Sequence, residues 1–434
     1  MELNPVVISV ISLCVLCLLK INVLFSLMIS AIIAGLLSNM TVPKIMDLFV
    51  SGMGQNSETA LSYILLGTLA ASMTHTGLTE ILSIKISQII KDNKYLLLGI
   101  LTIISIMSQN LIPVHIAFIP ILIPPLICIM NRLKLDRRAV ACVLVFGLKA
   151  PYIAIPAGFG LIFQGLIADN LTQNGLQVQK MNVWHYNWIL GFAMFLALLI
   201  AVFITYRKPR IYKEEDNNKE CLENKNLKLT KQHYITLIGA FATLVVQLIS
   251  GSLPLGALIG LGIIFGFRAI SHKNMDFLIN EGVGLMGYIS FVMLVCAGYA
   301  LVIQNTGGID SLLNSMLPYI ENSKILSTIV MLLIGLLITM GIGSSFGTIP
   351  ILAVLFVPLC LKIGLSTPST IIVLSAAAAL GDAGSPASET TLGPTAGLNT
   401  DKQHDHIKDT CIPTFFHFNS ALIIATIIAV LIFG

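Results

Sequence analysis

Apolar residues fill this chain in long stretches divided by short polar segments. A helix crossing the ~30 Å hydrocarbon layer of a bilayer needs about 20 predominantly apolar residues. The pattern predicts such spans near 6–20, 22–38, 59–80 and 188–205 in the first half, and near 234–251, 253–267, 284–303 and 412–433 in the second. Two further spans, 139–168 and 369–397, contain glycine and proline and are expected to be broken. Two longer segments, 95–130 and 325–363, are interrupted by polar residues and read as re-entrant hairpins. Val6 opens an uncleaved first span, because the chain start lacks a basic region and a small-residue cleavage site.

Displacing the sequence by 230 positions superposes its unusual features. Gly52-Met-Gly54 falls on Gly282-Val-Gly284, Thr76-Gly77 on Thr306-Gly307, and Pro120-Ile-Leu122 on Pro350-Ile-Leu352; after a few inserted residues Gly147 is expected to meet Gly381. The predicted fold is an all-α polytopic membrane protein of two repeats, each of about five transmembrane helices plus a hairpin. Residues 1–205 form the first repeat, 206–233 a polar cytoplasmic linker and 234–434 the second repeat.

Composition agrees with that class: 56% of the 434 residues are hydrophobic and 11% charged. The net charge of +4 is spread over loops, so it informs orientation and does not suggest a nucleic-acid partner. Placing the linker inside also places Lys20, Arg132, Lys134, Arg137, Arg138, Arg268, Lys273, Lys402 and Lys408 inside, and this makes the repeats inverted. Inverted repeats with broken helices are a plan of secondary transporters, with the site where the repeats meet. Gly282-Val-Gly284-Leu-Met-Gly287 fits a dinucleotide fingerprint but has no strand before it, and Cys14-x-x-Cys17 reads as two small buried hydrophobes.

The chemistry concentrates in Gly381-Asp-Ala-Gly-Ser-Pro-Ala-Ser-Glu-Thr-Thr391. A charge at membrane depth costs about 2.5–3.5 kcal/mol even on mild scales, so Asp382 and Glu389 are expected to face protein, water or an ion. Gly384 and Pro386 are the expected cause of the break. Freed carbonyls, the hydroxyls of Ser385, Ser388, Thr390 and Thr391 and both carboxylates make an all-oxygen set suited to a hard cation such as sodium. Cation and proton would compete for such carboxylates. Alternatively, the two carboxylates cap half-helices.

Its first-half equivalent is read as Gly147-Leu-Lys149-Ala-Pro151-Tyr152, with Gly147 and Pro151 as breakers. Lys149 lies too far from either end to reach water; it could pair with Asp382 or Glu389, or hold a substrate carboxylate. At the hairpin tips, Asn110, Ser344 and Ser345 are candidate ligands, and His115 is either a structural histidine or a substrate contact. Gly256, Gly260, Gly262 and Gly266 read as helix packing. His404 and His406 lie in a charged loop with Asp401, Asp405 and Asp409, read as solvated surface with a metal or pH-sensing site as the less favoured alternative.

The run 381–391 resembles the Gly-Asp-x-x-Ser-Pro-x-Ser-Asp-Thr-Thr signature of NhaC-type sodium/proton antiporters of the ion-transporter superfamily. Asp382, Ser385, Pro386, Ser388, Thr390 and Thr391 stand where the signature has them, and Glu389 replaces its aspartate. Residues 147–152 and 156–163 resemble the YuiF-type branch, whose members are named as antiporters or as amino-acid transporters. The resemblance implies a dimeric carrier of a bacterial inner membrane, not an enzyme, moving Na+ and H+ without a cofactor. The expected activity is Na+/H+ antiport by alternating access. The alternatives are Na+- or H+-coupled amino-acid transport and, less favoured, a channel or membrane scaffold.

Overall fold

Glycines, prolines and capping hydroxyls divide the apolar stretches into helices in the computed structural model. It describes residues 4–434 except 20, 55–56, 79–80, 82–92, 111–114, 157–158, 214–228, 251, 309–310, 312–322 and 344. In order, the helices are α1 (Pro5–Leu18), α2 (Val23–Leu37), α3 (Val42–Met53), α4 (Ser57–His75), α5 (Lys94–Asn110), α6 (His115–Arg132), α7 (Arg137–Ala154), α8 (Phe159–Gln173) and α9 (Lys180–Ile200). The second half holds α10 (Lys231–Ser250), α11 (Leu253–Gly266), α12 (Met275–Asn305), α13 (Lys324–Ile342), α14 (Ser345–Lys362), α15 (Thr367–Ala379), α16 (Glu389–Leu398) and α17 (Ser420–Phe433). A helical stretch with wide π turns, 406–419, leads into α17.

Length separates these helices. Among the described residues, two continuous helices are long and apolar enough to cross a membrane, Lys180–Thr205 and His406–Phe433. Three pairs reach that length only together, each bent at a break: α7 with α8 by 48°, and the two parts of α12 and of α14 by 47° and 48°. Several other predicted spans are short; a 14-residue helix such as α1 rises only about 21 Å. The apolar pattern also passes over α3, which Pro43 starts and whose buried residues are Ile45, Phe49 and Gly52. Gly52 lets α3 reach the α12 backbone, since a Cβ there would lie 2.8 Å from the Ala297 carbonyl oxygen. Gly282 does the same for α12 against Thr68 of α4, so the first glycine of the apparent dinucleotide fingerprint is a helix-packing position within a continuous helix.

The 230-residue displacement holds at the level of helix starts. Val23 and Leu253, Lys94 and Lys324, His115 and Ser345, Arg137 and Thr367, and Phe159 and Glu389 each begin corresponding helices. No inserted residues intervene: Gly381 corresponds to Pro151, not to Gly147, and Pro386 to Pro156. Packing across the halves is reciprocal. The first-half helix α8 lies on α14, and the helices 230 residues from them, α16 and α6, lie on each other.

Candidate functional site

Ser366 caps the start of α15 by accepting from the Ser369 amide, and Pro368 sits in the first turn, so α15 begins as a well-formed helix. It stops at Ala379, with Leu380 extended. Gly381 and Gly384 then adopt φ of +81° and +98°, a region that favours glycine, and Pro386 supplies no amide hydrogen. Chain direction is restored when the Ser388 hydroxyl accepts from the Thr390 amide and starts α16. The predicted break is therefore present at 380–388.

Asp382 lies in this break, buried, with donors on both carboxylate oxygens. Oδ2 accepts from the Tyr152 hydroxyl at 3.0 Å and the Ser345 hydroxyl at 2.9 Å. Oδ1 accepts from the Ser388 hydroxyl and lies 3.3 Å from Thr390 Oγ1. Ser345 is the first residue of α14 and Ser388 caps α16, so two helix N-termini converge on one carboxylate, the end of a helix that favours an anion. Lys149 completes the set from α7. Its side chain is fully buried, its ammonium donates to the Ala379 carbonyl at the end of α15, and Nζ lies 3.8 Å from Asp382 Oδ2.

Only part of the expected oxygen set gathers on Asp382. Ser385 donates instead to the Met340 carbonyl at 3.3 Å, and Thr391 bonds the Ser385 and Ser388 carbonyls at 2.6 and 2.9 Å. Glu389 opens α16 and accepts from the Tyr63 hydroxyl of α4 at 3.4 Å, separate from the donors on Asp382. The carbonyls released by the break are also largely taken. Ala383 accepts from Asn419, Asp382 from Thr390, Pro386 from His406 and Ala387 from Cys296.

Gly147 and Pro151 do not break α7, which runs through both to Ala154. The interruption comes at Ile155, held extended at φ −109° and ψ 124° because the next residue is proline. Gly147 serves packing: a Cβ there would meet Ser105 Cβ at 2.2 Å. Asn110 ends α5 and His115 begins α6, but their side chains lie outside the described residues, as does Ser344. Tyr152 and Tyr63 are site residues that the motif reading passed over. Tyr152 had a signal, since the displacement of 230 places it opposite Asp382.

Residues 143–431 match the model of the Na+/H+ antiporter family, and residues 4–90 match a second model, also described as a Na+-H+ antiporter family. The chain belongs to the Na+/H+ antiporter family. An uncharacterized membrane protein of Vibrio parahaemolyticus is 44% identical over 442 residues, covering 99% of this chain and 100% of that protein. The Bacillus subtilis protein named "Putative amino acid transporter YuiF" is 43% identical over 442 residues, again covering 99% and 100%. The solved structure of the YdaH transporter of Alcanivorax borkumensis aligns with a TM-score of 0.44 and 10% identity, covering 90% of this chain and 88% of that one. As a family member the chain is a cation-coupled membrane transporter.

In this antiporter-family chain the break is tied to a charged cluster built from three segments. Arg137, at the start of α7 and fully buried, donates Nη1 to the Leu398 carbonyl at 3.0 Å and to Asp401 at 2.6 Å. Arg210, from the start of the polar linker, donates to Asp409 at 2.7 Å, and its amide bonds the Lys134 carbonyl. Burial alone would push the Asp401 carboxyl up, but the hydrogen bonds and charge of Arg137 outweigh it and hold the group below the ordinary carboxylate range. The loop carrying His404 and His406 also folds inward. His404 is buried, and His406 reaches the Pro386 carbonyl at 3.0 Å.

Proposed function

We propose that the chain exchanges Na+ for H+ by alternating access, with Asp382 as the carboxylate that the two ions contest. The observation that carries this is the buried Lys149–Asp382 pair, 3.8 Å apart, with hydroxyl donors on both carboxylate oxygens. A carboxylate so surrounded is stable when empty of cation. Sodium can bind it only by displacing the ammonium or reorienting hydroxyls, and a proton removes the charge that sodium needs. The ions therefore exclude one another at one group, which is sufficient for exchange if the loaded forms reorient. Ser345, Ser388 and Thr390 are the hydroxyl ligands of this reading, and Glu389 with Tyr63 is a second carboxylate alongside.

Two inverted repeats, 1–205 and 234–434, supply the alternating movement. Reciprocal packing of α8 on α14 and α6 on α16 supports a two-fold relation between them. The meeting of residues 134–138, 207–213 and 399–409 in one charged cluster supports a cytoplasmic linker, since the basic residues of all three then share a side. The setting is a bacterial inner membrane, with the chain as a homodimer. No cofactor enters this scheme.

The second reading is cation-coupled transport of an amino acid, favoured by the name of the Bacillus subtilis relative. Lys149 would then hold a substrate carboxylate, but Asp382 already neutralises it. Purified protein in liposomes separates the two. Sodium should quench a lumenal pH gradient with no organic substrate present; sodium- or proton-dependent uptake of labelled amino acids without that response would favour the second reading.

A further inference from the structure

His404 and His406 are joined by a chain of hydrogen bonds. His404 Nε2 lies 2.7 Å from Thr410 Oγ1, Thr410 Oγ1 lies 2.9 Å from Thr395 Oγ1, and Thr395 Oγ1 lies 2.8 Å from His406 Nδ1. At the far end, His406 Nε2 lies 3.0 Å from the Pro386 carbonyl oxygen. A carbonyl oxygen can only accept, so His406 Nε2 carries a hydrogen. The Thr395 hydroxyl donates to Thr410 Oγ1, so Thr395 accepts from His406 Nδ1–H and Thr410 donates to His404 Nε2; this is the proton-loaded arrangement, with the charge on His406. His404 Nδ1, buried without a hydrogen-bond partner among the described residues, then carries the hydrogen, and in the unloaded form both hydroxyls reverse and leave it bare.

We propose that this four-residue chain is a proton-binding site, separate from the Asp382 and Glu389 carboxylates, in which one proton is shared between two histidines. A proton added at His404 Nδ1 sends the Nε2 hydrogen to Thr410, the Thr410 hydrogen to Thr395 and the Thr395 hydrogen to His406 Nδ1. One proton enters, each hydroxyl keeps one hydrogen, and the positive charge emerges on His406. Both ends have suitable surroundings. His404 faces Asp409, with Arg137 and Arg210 on the same cluster, and His406 has Asp405 and Cys411 beside it. His406 also lines a cavity of about 490 Å³ together with Thr395, Asn399, Asp405 and Lys408.

Occupancy of this site acts on the break directly. A charged imidazole makes a hydrogen bond about twice as strong as a neutral one, so the proton tightens the hold of His406 on the Pro386 carbonyl. The site thereby reports proton activity to the segment that carries Asp382. This consequence rests on the exchange reading above; the shared proton itself does not.

The test is a titration of 15N-histidine-labelled full-length protein in lipid nanodiscs, with His404→Gln and His406→Gln assigning the two imidazoles. In the unsubstituted protein both should respond at one shared midpoint, below the ordinary histidine value of 6.5 because burial of His404 disfavours the charge, with one proton taken up by the pair. Thr395→Val and, independently, Thr410→Val should break the chain and give two separate midpoints. Independent midpoints in the unsubstituted protein, or a common midpoint that survives both valine variants, would overturn the proposal. The readout needs no transport, so failure of sodium/proton exchange in liposomes leaves it intact.

Discussion

Tyr152 and Asp382 stand 230 residues apart in sequence and 3.0 Å apart in space. The same displacement separates Lys149 from Ala379, whose carbonyl it bonds, and Ala60 from Ser290, whose hydroxyl reaches the Ala60 carbonyl at 2.7 Å. Asp382 therefore lies where the first and second halves of the chain meet, with a first-half tyrosine among the donors on its carboxylate.

Asp382→Asn should abolish sodium-driven proton movement in liposomes while the protein still purifies as a folded species. An amide accepts the same hydroxyls through one oxygen but carries no charge for sodium to neutralise. Ordinary turnover in the variant would remove Asp382 from the mechanism.

Lys149→Ala should uncouple the two ions. Without the competing ammonium, sodium should bind at lower concentration, by about tenfold or more, which corresponds to about 1.4 kcal/mol. Parallel measurement of sodium flux and lumenal pH reads this as a change in protons moved per sodium; an unchanged ratio would count against the ion competition proposed.

Tyr152→Phe removes one of the hydroxyl donors on Asp382 Oδ2 and leaves Ser345 in place. Hydrogen bonds to charged groups are worth about 1.5–3 kcal/mol. The expected result is a shift of about tenfold in the sodium concentration for half-maximal exchange, with activity retained. Complete inactivation would assign Tyr152 a larger part than a donor.

Gly381→Ala should destabilise more than Gly307→Ala. Both residues have positive φ, but a Cβ at 381 would lie 2.7 Å from the Leu336 carbonyl oxygen, while one at 307 meets nothing within 4 Å. Left-handed backbone alone costs about 1–2 kcal/mol in a non-glycine residue. Thermal unfolding in detergent should show a larger fall for the 381 variant, and equal falls would mean that α13 yields to the added methyl.

Acid should weaken the charged cluster through Asp401. Its carboxyl is held below the ordinary value of 3.8, so its contribution is complete above that value and disappears as pH falls through the lower folded value. Asp401→Asn should flatten this acid limb of the stability profile. Arg137→Ala should be harsher at neutral pH, by about 3 kcal/mol or more, because it strands a partly buried carboxylate.

Much of this was legible in the residues, for stated physical reasons. Two glycines, a proline and two carboxylates in apolar sequence had to mark a break, and an isolated intramembrane lysine had to find a carboxylate. What stayed hidden was partner choice. Ser385 and Thr391 have the same hydroxyl as Ser388, yet they hold backbone, and only the path of the chain through 380–388 decides which faces Asp382. Pro151 misled because a helix can continue past one proline when packing holds it, whereas Pro156 acts through the residue before it. Arg137 counted as a loop charge but is buried against Asp401, a pairing between segments 264 residues apart.

Side chains from α7, α12, α16 and 406–419 grip the carbonyls on either side of Asp382. Such a segment has little freedom to fray by itself, because loosening any one peptide strands a donor on a neighbouring helix. The break is thus better described as a rigid joint than as a soft loop. Any stroke that carries Asp382 from one membrane face to the other has to move those neighbours with it, as a single body.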